Sequence, residues 1–140
     1  DRGDVRLVDS SMPPREDKEK GGTTKTIYYA KAGRSEPAAK LDLELVPTAP
    51  NGNTLVLVFL GAPLPKAAVT LVGPSKWQKP LSTDDKGRIT LPTPWAGRYV
   101  LEVTHFDGKA GGGSEKFDRT RHISSLSFVQ QSGARWTEKR

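Results

Sequence analysis

The sequence predicts an all-β, antiparallel sandwich, and three observations predict it. Apolar residues recur with period two along several short stretches, the spacing that puts alternate side chains on one face of a strand. No stretch repeats apolar residues at i, i+3, i+4 and i+7 over three turns, so no amphipathic helix is expected. Turn formers separate the stretches: the 140 residues include 14 Gly and 11 Pro, a turn-rich share that stays below the disordered regime. A chain of 140 residues fits one domain with one core.

Taken in order, Asp4-Val5-Arg6-Leu7-Val8 allows one short strand. Residues 13–24, PPREDKEKGGTT, are charged and carry Pro and Gly. Residues 1–24 therefore read as a polar N-terminal arm and linker, with that strand cut off from the rest. The sandwich domain is expected over residues 25–130. Thr26 to Ala30 is β-rich by composition. Leu41 to Val46 alternates Leu with acid, a half-buried strand in which Glu44, with Asp42 and the preceding Glu36, forms the solvated face. Thr54 to Leu60 is an unbroken apolar stretch between Pro/Gly flanks, which favours burial on both sides. Ala67 to Val72 alternates again. Lys79 to Thr83 and Arg88 to Leu91 flank Asp84-Asp85-Lys86-Gly87, a hairpin turn in which Gly87 supplies a positive φ. Tyr99 to His105 is a long strand and Ile123 to Val129 the last, with a flexible Gly-rich loop from Gly108 to Ser114 between them. Residues 131–140 form a basic C-terminal tail. The inward positions of this pattern, Leu43, Leu45, Leu55, Leu57, Phe59, Val69, Leu71, Ile89, Leu91, Tyr99, Leu101, Val103, Leu126 and Phe128, are the expected core.

Charge and composition exclude several functions. The net charge is +6, with the positive excess leaning to the C-terminal end, yet no block of five like charges occurs and no basic stripe interleaves with aromatics. No nucleic-acid partner is expected. No apolar run approaches the length of a membrane span, so no direct membrane insertion is expected. Cysteine is absent, which removes disulfides, thiolate metal sites and cysteine nucleophiles and suits an exported protein. The chain opens Asp1-Arg2-Gly3 with neither an initiator Met nor an apolar signal region, which reads as a processed or trimmed product.

The candidate site residues are few. His105 ends a strand with Asp107 two residues on, and i and i+2 share a strand face. His122 opens the final strand just after Asp118-Arg119-Thr120-Arg121. If the two strands are neighbours, both imidazoles and both carboxylates converge. Imidazole plus carboxylate without thiolate suits Ni²⁺, Cu²⁺ or Zn²⁺. The plainer reading is a pair of hydrogen-bonded strand-end histidines, and Arg119 and Arg121 beside His122 would repel a cation. Trp77, Trp95, Tyr99 and Trp136 offer rings that stack on a sugar when exposed. Their plainer role is packing, with Trp95 under a turn and Trp77 capping one end of the sandwich. Asp84 and Asp85 are explained by the hairpin rather than by Ca²⁺. There is no G-x-S-x-G elbow and no Gly-rich phosphate loop followed by Lys-Ser/Thr, so no enzymatic activity is expected.

Leu60-Gly61-x-Pro63-Leu64, Thr83-Asp84-x-x-Gly87-Arg88, Leu91-Pro92 and Ala96-Gly97-Arg98-Tyr99 form a pattern. It resembles the Ig-like or transthyretin-like sandwich modules of the carboxypeptidase-regulatory kind. A closer resemblance runs over residues 28–129. It is carried by Tyr29-Ala30-Lys31-Ala32, Leu43-Glu44-Leu45-Val46-Pro47, Leu91-Pro92-x-Pro94-Trp95-x-Gly97-x-Tyr99, Glu102-x-x-His105 and Phe117-Asp118 to Phe128. These look like a bacterial family of unknown function historically described as the periplasmic component of a nickel or cobalt uptake system. The resemblance implies export to the periplasm and a role near metal or nutrient uptake. The expectation is then an exported binding or accessory module that handles a transition-metal ion or a partner membrane transporter, with His105 and His122 as ligands and Asp107 and Asp118 as helpers. Family members carry a further β-rich half before the Tyr-Ala-Lys-Ala segment. About 27 residues precede it here, which implies the C-terminal half of a longer protein. The competing expectation is a structural or assembly module in which the Asp4–Val8 strand adds to the sheet edge of another copy.

Overall fold

The period-two stretches fold as two packed sheets in a computed structural model that describes residues 3–19, 21–108, 110, 111 and 116–131. Residues 132–140 of the C-terminal tail, Trp136 among them, lie outside the described residues, as does most of the Gly-rich loop. The strands are β1 (Val5–Asp9), β2 (Arg15–Glu16), β3 (Thr23–Ala32), β4 (Leu43–Pro47), β5 (Thr54–Phe59), β6 (Ala62–Pro63), β7 (Ala68–Val72), β8 (Gln78–Ser82), β9 (Arg88–Thr90), β10 (Gly97–Asp107) and β11 (Arg119–Gln130). A short 3-10 turn, Pro74–Lys76, links β7 to β8. The large sheet runs β1-β3-β11-β10-β7-β8, with β2 also on β3. The small sheet is β4-β5-β6, with β9 on β5. No helix among the described residues is long and apolar enough to cross a membrane.

All the expected core residues except Phe59 are buried, and Phe59 packs partly buried against them. Tyr29, which the sequence reading left out of the core, joins it from the inner face of β3. The ring of Tyr99 stacks on Phe128 with centroids 5.5 Å apart. Its hydroxyl donates to the Trp95 carbonyl at 2.8 Å and accepts from the Trp95 amide at 3.1 Å. This ties the start of β10 to the turn before it. Trp77 and Trp95 meet edge to face, 5.1 Å between centroids, and Trp77 packs on the core. Both indoles are half-buried packing groups. The 84–87 turn closes as expected: Gly87 has φ 75, and the Asp84 carboxylate accepts the amides of Lys86 and Arg88 at 2.8 and 2.9 Å.

Four features differ from the sequence reading. The sandwich is not wholly antiparallel: β3 and β11 pair in parallel, from Thr24 opposite Arg119 to Ala32 opposite Ser127. Parallel neighbours need a long crossover, and here the rest of the domain supplies it. The N-terminal strand is not cut off. β1 pairs with β3 from Val5 opposite Ala32 to Asp9 opposite Tyr28, and β2 pairs with Thr23 and Thr24. The boundary drawn at residue 24 therefore falls inside β3. Strand β5 buries Leu55 and Leu57 but leaves Val56 and Val58 half-covered, because one of its faces has no sheet above it. Conversely, all five residues of β4 are buried, and Glu44 is 0% exposed. Glu44 is thus a buried group, not part of a solvated face.

Candidate functional site

The antiparallel register of β10 and β11 sets His105 directly opposite His122, and directly paired residues share a sheet face. Their rings lie 6.3 Å apart at 27°. Phe59 of the small sheet closes over both, with its ring 4.5 Å from His105 and 5.0 Å from His122. His122 is 5% exposed. Its Nε2 lies 2.7 Å from Oδ2 of Asp107 and its Nδ1 lies 2.7 Å from the Tyr29 hydroxyl. Burial, reinforced by Asp42 and Asp107, pushes the Tyr29 phenol up to about 12. The phenol therefore stays protonated, and both ring nitrogens of His122 are engaged, one by a phenol and one by a carboxylate. Burial, together with the neighbouring His122, pulls the His105 pKa below its ordinary value, against the opposing pull of Asp107.

The four predicted metal ligands do not meet at one point. His105, Asp107 and His122 come together, while Asp118 sits apart and exposed. Its Oδ2 accepts from the Thr23 amide at 2.7 Å and from the Thr23 hydroxyl at 3.3 Å, fastening the start of β3 to the start of β11. The split follows from sheet order, because β3 and β10 lie on opposite sides of β11. Arg119 and Arg121 also bond toward β3, to Thr24 and Thr26 hydroxyls. The donor chemistry suits a borderline metal, but both His122 nitrogens are already engaged. Among the described residues no group of three His, Cys, Asp or Glu side chains is placed to hold an ion. The order phenol–imidazole–carboxylate resembles a nucleophilic triad. Its hydroxyl, however, belongs to a buried residue held in the protonated form.

A second polar construction is denser, and sequence reasoning missed it. Oε2 of Glu44 accepts from Arg6 Nε at 3.0 Å and from Lys31 Nζ at 2.8 Å. Its Oε1 accepts the amides of Lys40 and Leu41 at 2.8 and 2.9 Å. Arg6 also reaches Glu36 at 2.7 Å. Lys31 donates to the Leu45 carbonyl at 3.0 Å and lies 3.7 Å from Asp4. Asp4 in turn accepts from the Ser35 amide and hydroxyl and from the Glu36 amide. Burial alone would raise the Glu44 and Asp4 carboxyls. The hydrogen bonds and cations around them overcome it and hold both below their usual range. Parity signals only part of this cluster: Lys31 stands two residues after Tyr29 and shares its face, whereas alternation places Glu44 opposite the core leucines and gives no sign of its burial. The cluster is closed, with every lone pair of Glu44 directed at a protein donor, so it locks β1 and β4 together rather than receiving a ligand.

Residues 12–107 match a family described as a domain of unknown function, DUF4198. The match begins within the arm, which agrees with the arm's place in the large sheet, and it ends with β10. No curated protein and no solved structure matches the chain.

Proposed function

The chain belongs to that family of unknown function, and from this premise we propose that it is a non-enzymatic, exported binding or accessory module that acts as an assembly subunit. It associates with a second copy through the free edge of its large sheet. The observation that carries this is the contrast between the two ends of that sheet. At one end β1 exposes Val5 (61%), Leu7 (67%) and Val8 (54%), and it pairs with β3 alone. At the other end β8 carries Lys79 and Pro80, devices that keep an edge from pairing. An unprotected edge with apolar side chains is the geometry of strand addition. Absence of cysteine and the periplasmic resemblance support export.

Light scattering across a concentration series tests this, with Leu7→Lys as the variant. Leu7 alternates with the half-buried Arg6, so the change places a charge on the edge without entering the ion cluster. Wild-type chain is expected to associate as concentration rises, and Leu7→Lys to remain monomeric with an unchanged thermal midpoint. A wild-type chain that stays monomeric throughout, or a variant that associates equally well, overturns the reading.

One observation favours a second reading: the register that pairs His105 with His122 beside Asp107. In that reading the module handles Ni²⁺, Cu²⁺ or Zn²⁺ for a membrane transporter, and the ion displaces a hydrogen bond of His122. Calorimetric titration of chelator-treated protein decides it. Micromolar or tighter binding that disappears in His105→Ala/His122→Ala supports the ion; no binding, or binding unchanged in the variant, removes it.

A further inference from the structure

Arg34 is a buried cation with no carboxylate beside it among the described residues. It is 6% exposed, and its guanidinium lies 3.8 Å over the Phe128 ring. Nη1 donates to the Gly52 carbonyl and to Oδ1 of Asn53, and Nη2 donates to Oε1 of Gln130 at 2.6 Å. These acceptors are neutral. Half-buried Arg6 and buried Lys31 are each paired with carboxylates, whereas none pairs with Arg34 among the described residues. Burying an uncompensated charge is costly, and an aromatic face offsets only part of that cost. Burial accordingly pulls the Arg34 pKa below its ordinary value.

A guanidinium has five N–H donors, and the three bonds above leave Nε–H and one Nη2–H. Nε has no acceptor among the described residues, and no buried side-chain nitrogen there lacks a partner. Nε is therefore not sealed from solvent. The solvent space that Arg34 lines is a cleft of about 630 Å³, which also presents Arg98, Asn51, Gln130 and Gln131 and, among the described residues, no acidic side chain. Arg98 is exposed on β10. Two guanidiniums and three amides around one cleft, with one guanidinium lacking a counter-charge, form a receptor for anions.

We infer that this cleft binds a small organic polycarboxylate. Nε–H and the spare Nη2–H are neighbouring donors at the spacing that two oxygens of one carboxylate accept. Arg98 takes a second carboxylate, and the amides hold the oxygens between. This inference does not depend on how the β1 edge is used.

Calorimetric titration of the full chain with citrate, and in parallel with inorganic phosphate, tests it at low ionic strength. Citrate is expected to bind, and more tightly than phosphate. Arg98→Ala should weaken citrate by about tenfold while leaving the thermal midpoint unchanged, because Arg98 is exposed. Arg34→Lys, which keeps the charge but loses the fork, should weaken citrate as well. Absence of citrate binding, or an affinity untouched by Arg98→Ala, overturns the site. Tighter binding of phosphate than of citrate overturns the carboxylate assignment.

Discussion

Two polar constructions among the described residues are built in opposite ways. Tyr29, His122 and Asp107 form a chain of hydrogen bonds across β3, β11 and β10, three neighbouring strands of one sheet. Its centre is an imidazole held between a phenol and a carboxylate. Asp4, Arg6, Lys31, Glu36 and Glu44 form a charged knot that joins β1, β3 and the residues after β3 to β4 of the other sheet. The first decorates a sheet that already exists. The second decides where the N-terminal strand and the small sheet's edge are placed. Residue types that attract functional attention thus sit in the less consequential of the two, while the residues that resemble ordinary surface charge do more of the structural work.

The largest expected effect breaks the knot. Glu44→Ala leaves Arg6 and Lys31 buried without their shared carboxylate and should destabilise the fold by about 3–5 kcal/mol, read by urea unfolding. A loss below about 1 kcal/mol would mean that the knot relaxes into water and holds nothing in place.

Acid should separate the two constructions. Carboxyls held low in the folded state stabilise it above their unfolded pKa, and that contribution is lost as pH falls through the folded value. Asp4 and Glu44 are held below their ordinary 3.8 and 4.5, so the knot should weaken as pH drops below about that range. His105 is held below its ordinary 6.5. The neutral ring is favoured in the fold, so its contribution begins to fall earlier, as pH drops through 6.5. Thermal midpoints against pH should show both losses, with the earlier one absent in His105→Gln and the later one reduced in Glu44→Gln. A single loss that neither variant alters would show that neither construction governs acid stability.

Tyr29→Phe deletes one hydroxyl and leaves Nδ1 of His122 without its hydrogen-bond partner. The expected cost is about 1–3 kcal/mol in the same urea assay. Phenylalanine that proves neutral would mean that the His122 ring turns to find another partner. The smallest effect belongs to Asp118→Ala, an exposed hydrogen-bond acceptor, at about 0.5–1.5 kcal/mol. Its sharper readout is the His105 titration by NMR: Asp107→Ala removes a carboxylate that raises the His105 pKa and should move its curve down, and Asp118→Ala should leave it in place. A shift in the Asp118 variant would return that carboxylate to the histidine cluster.

Local pattern was enough to read the strands and the core. Leu43, Leu45, Leu55, Leu57, Leu101 and Val103 announce their inward face by alternation alone, since a strand's two faces are fixed by its own backbone. Gly87 likewise announces the turn it closes, where φ is 75. Half of the histidine site was legible as well, because His105 and Asp107 are two apart on one strand. The other half waited on pairing: Tyr29 meets His122 across 93 residues of sequence, and no local signal names that partner.

The sequence by itself determined an all-β chain, the positions of most strands and the side chains that line the core, because each of these depends on neighbours a few residues away. Tertiary structure alone decided that β3 and β11 run in parallel, that the arm joins the large sheet, and that Asp118 stands apart from the histidines. It also decided that Glu44 is buried between Arg6, 38 residues before it, and Lys31, while Arg34 is buried without a carboxylate. Charged side chains take their meaning from what the fold brings opposite them. That depends on strand order and register, which alternation along a single strand does not encode.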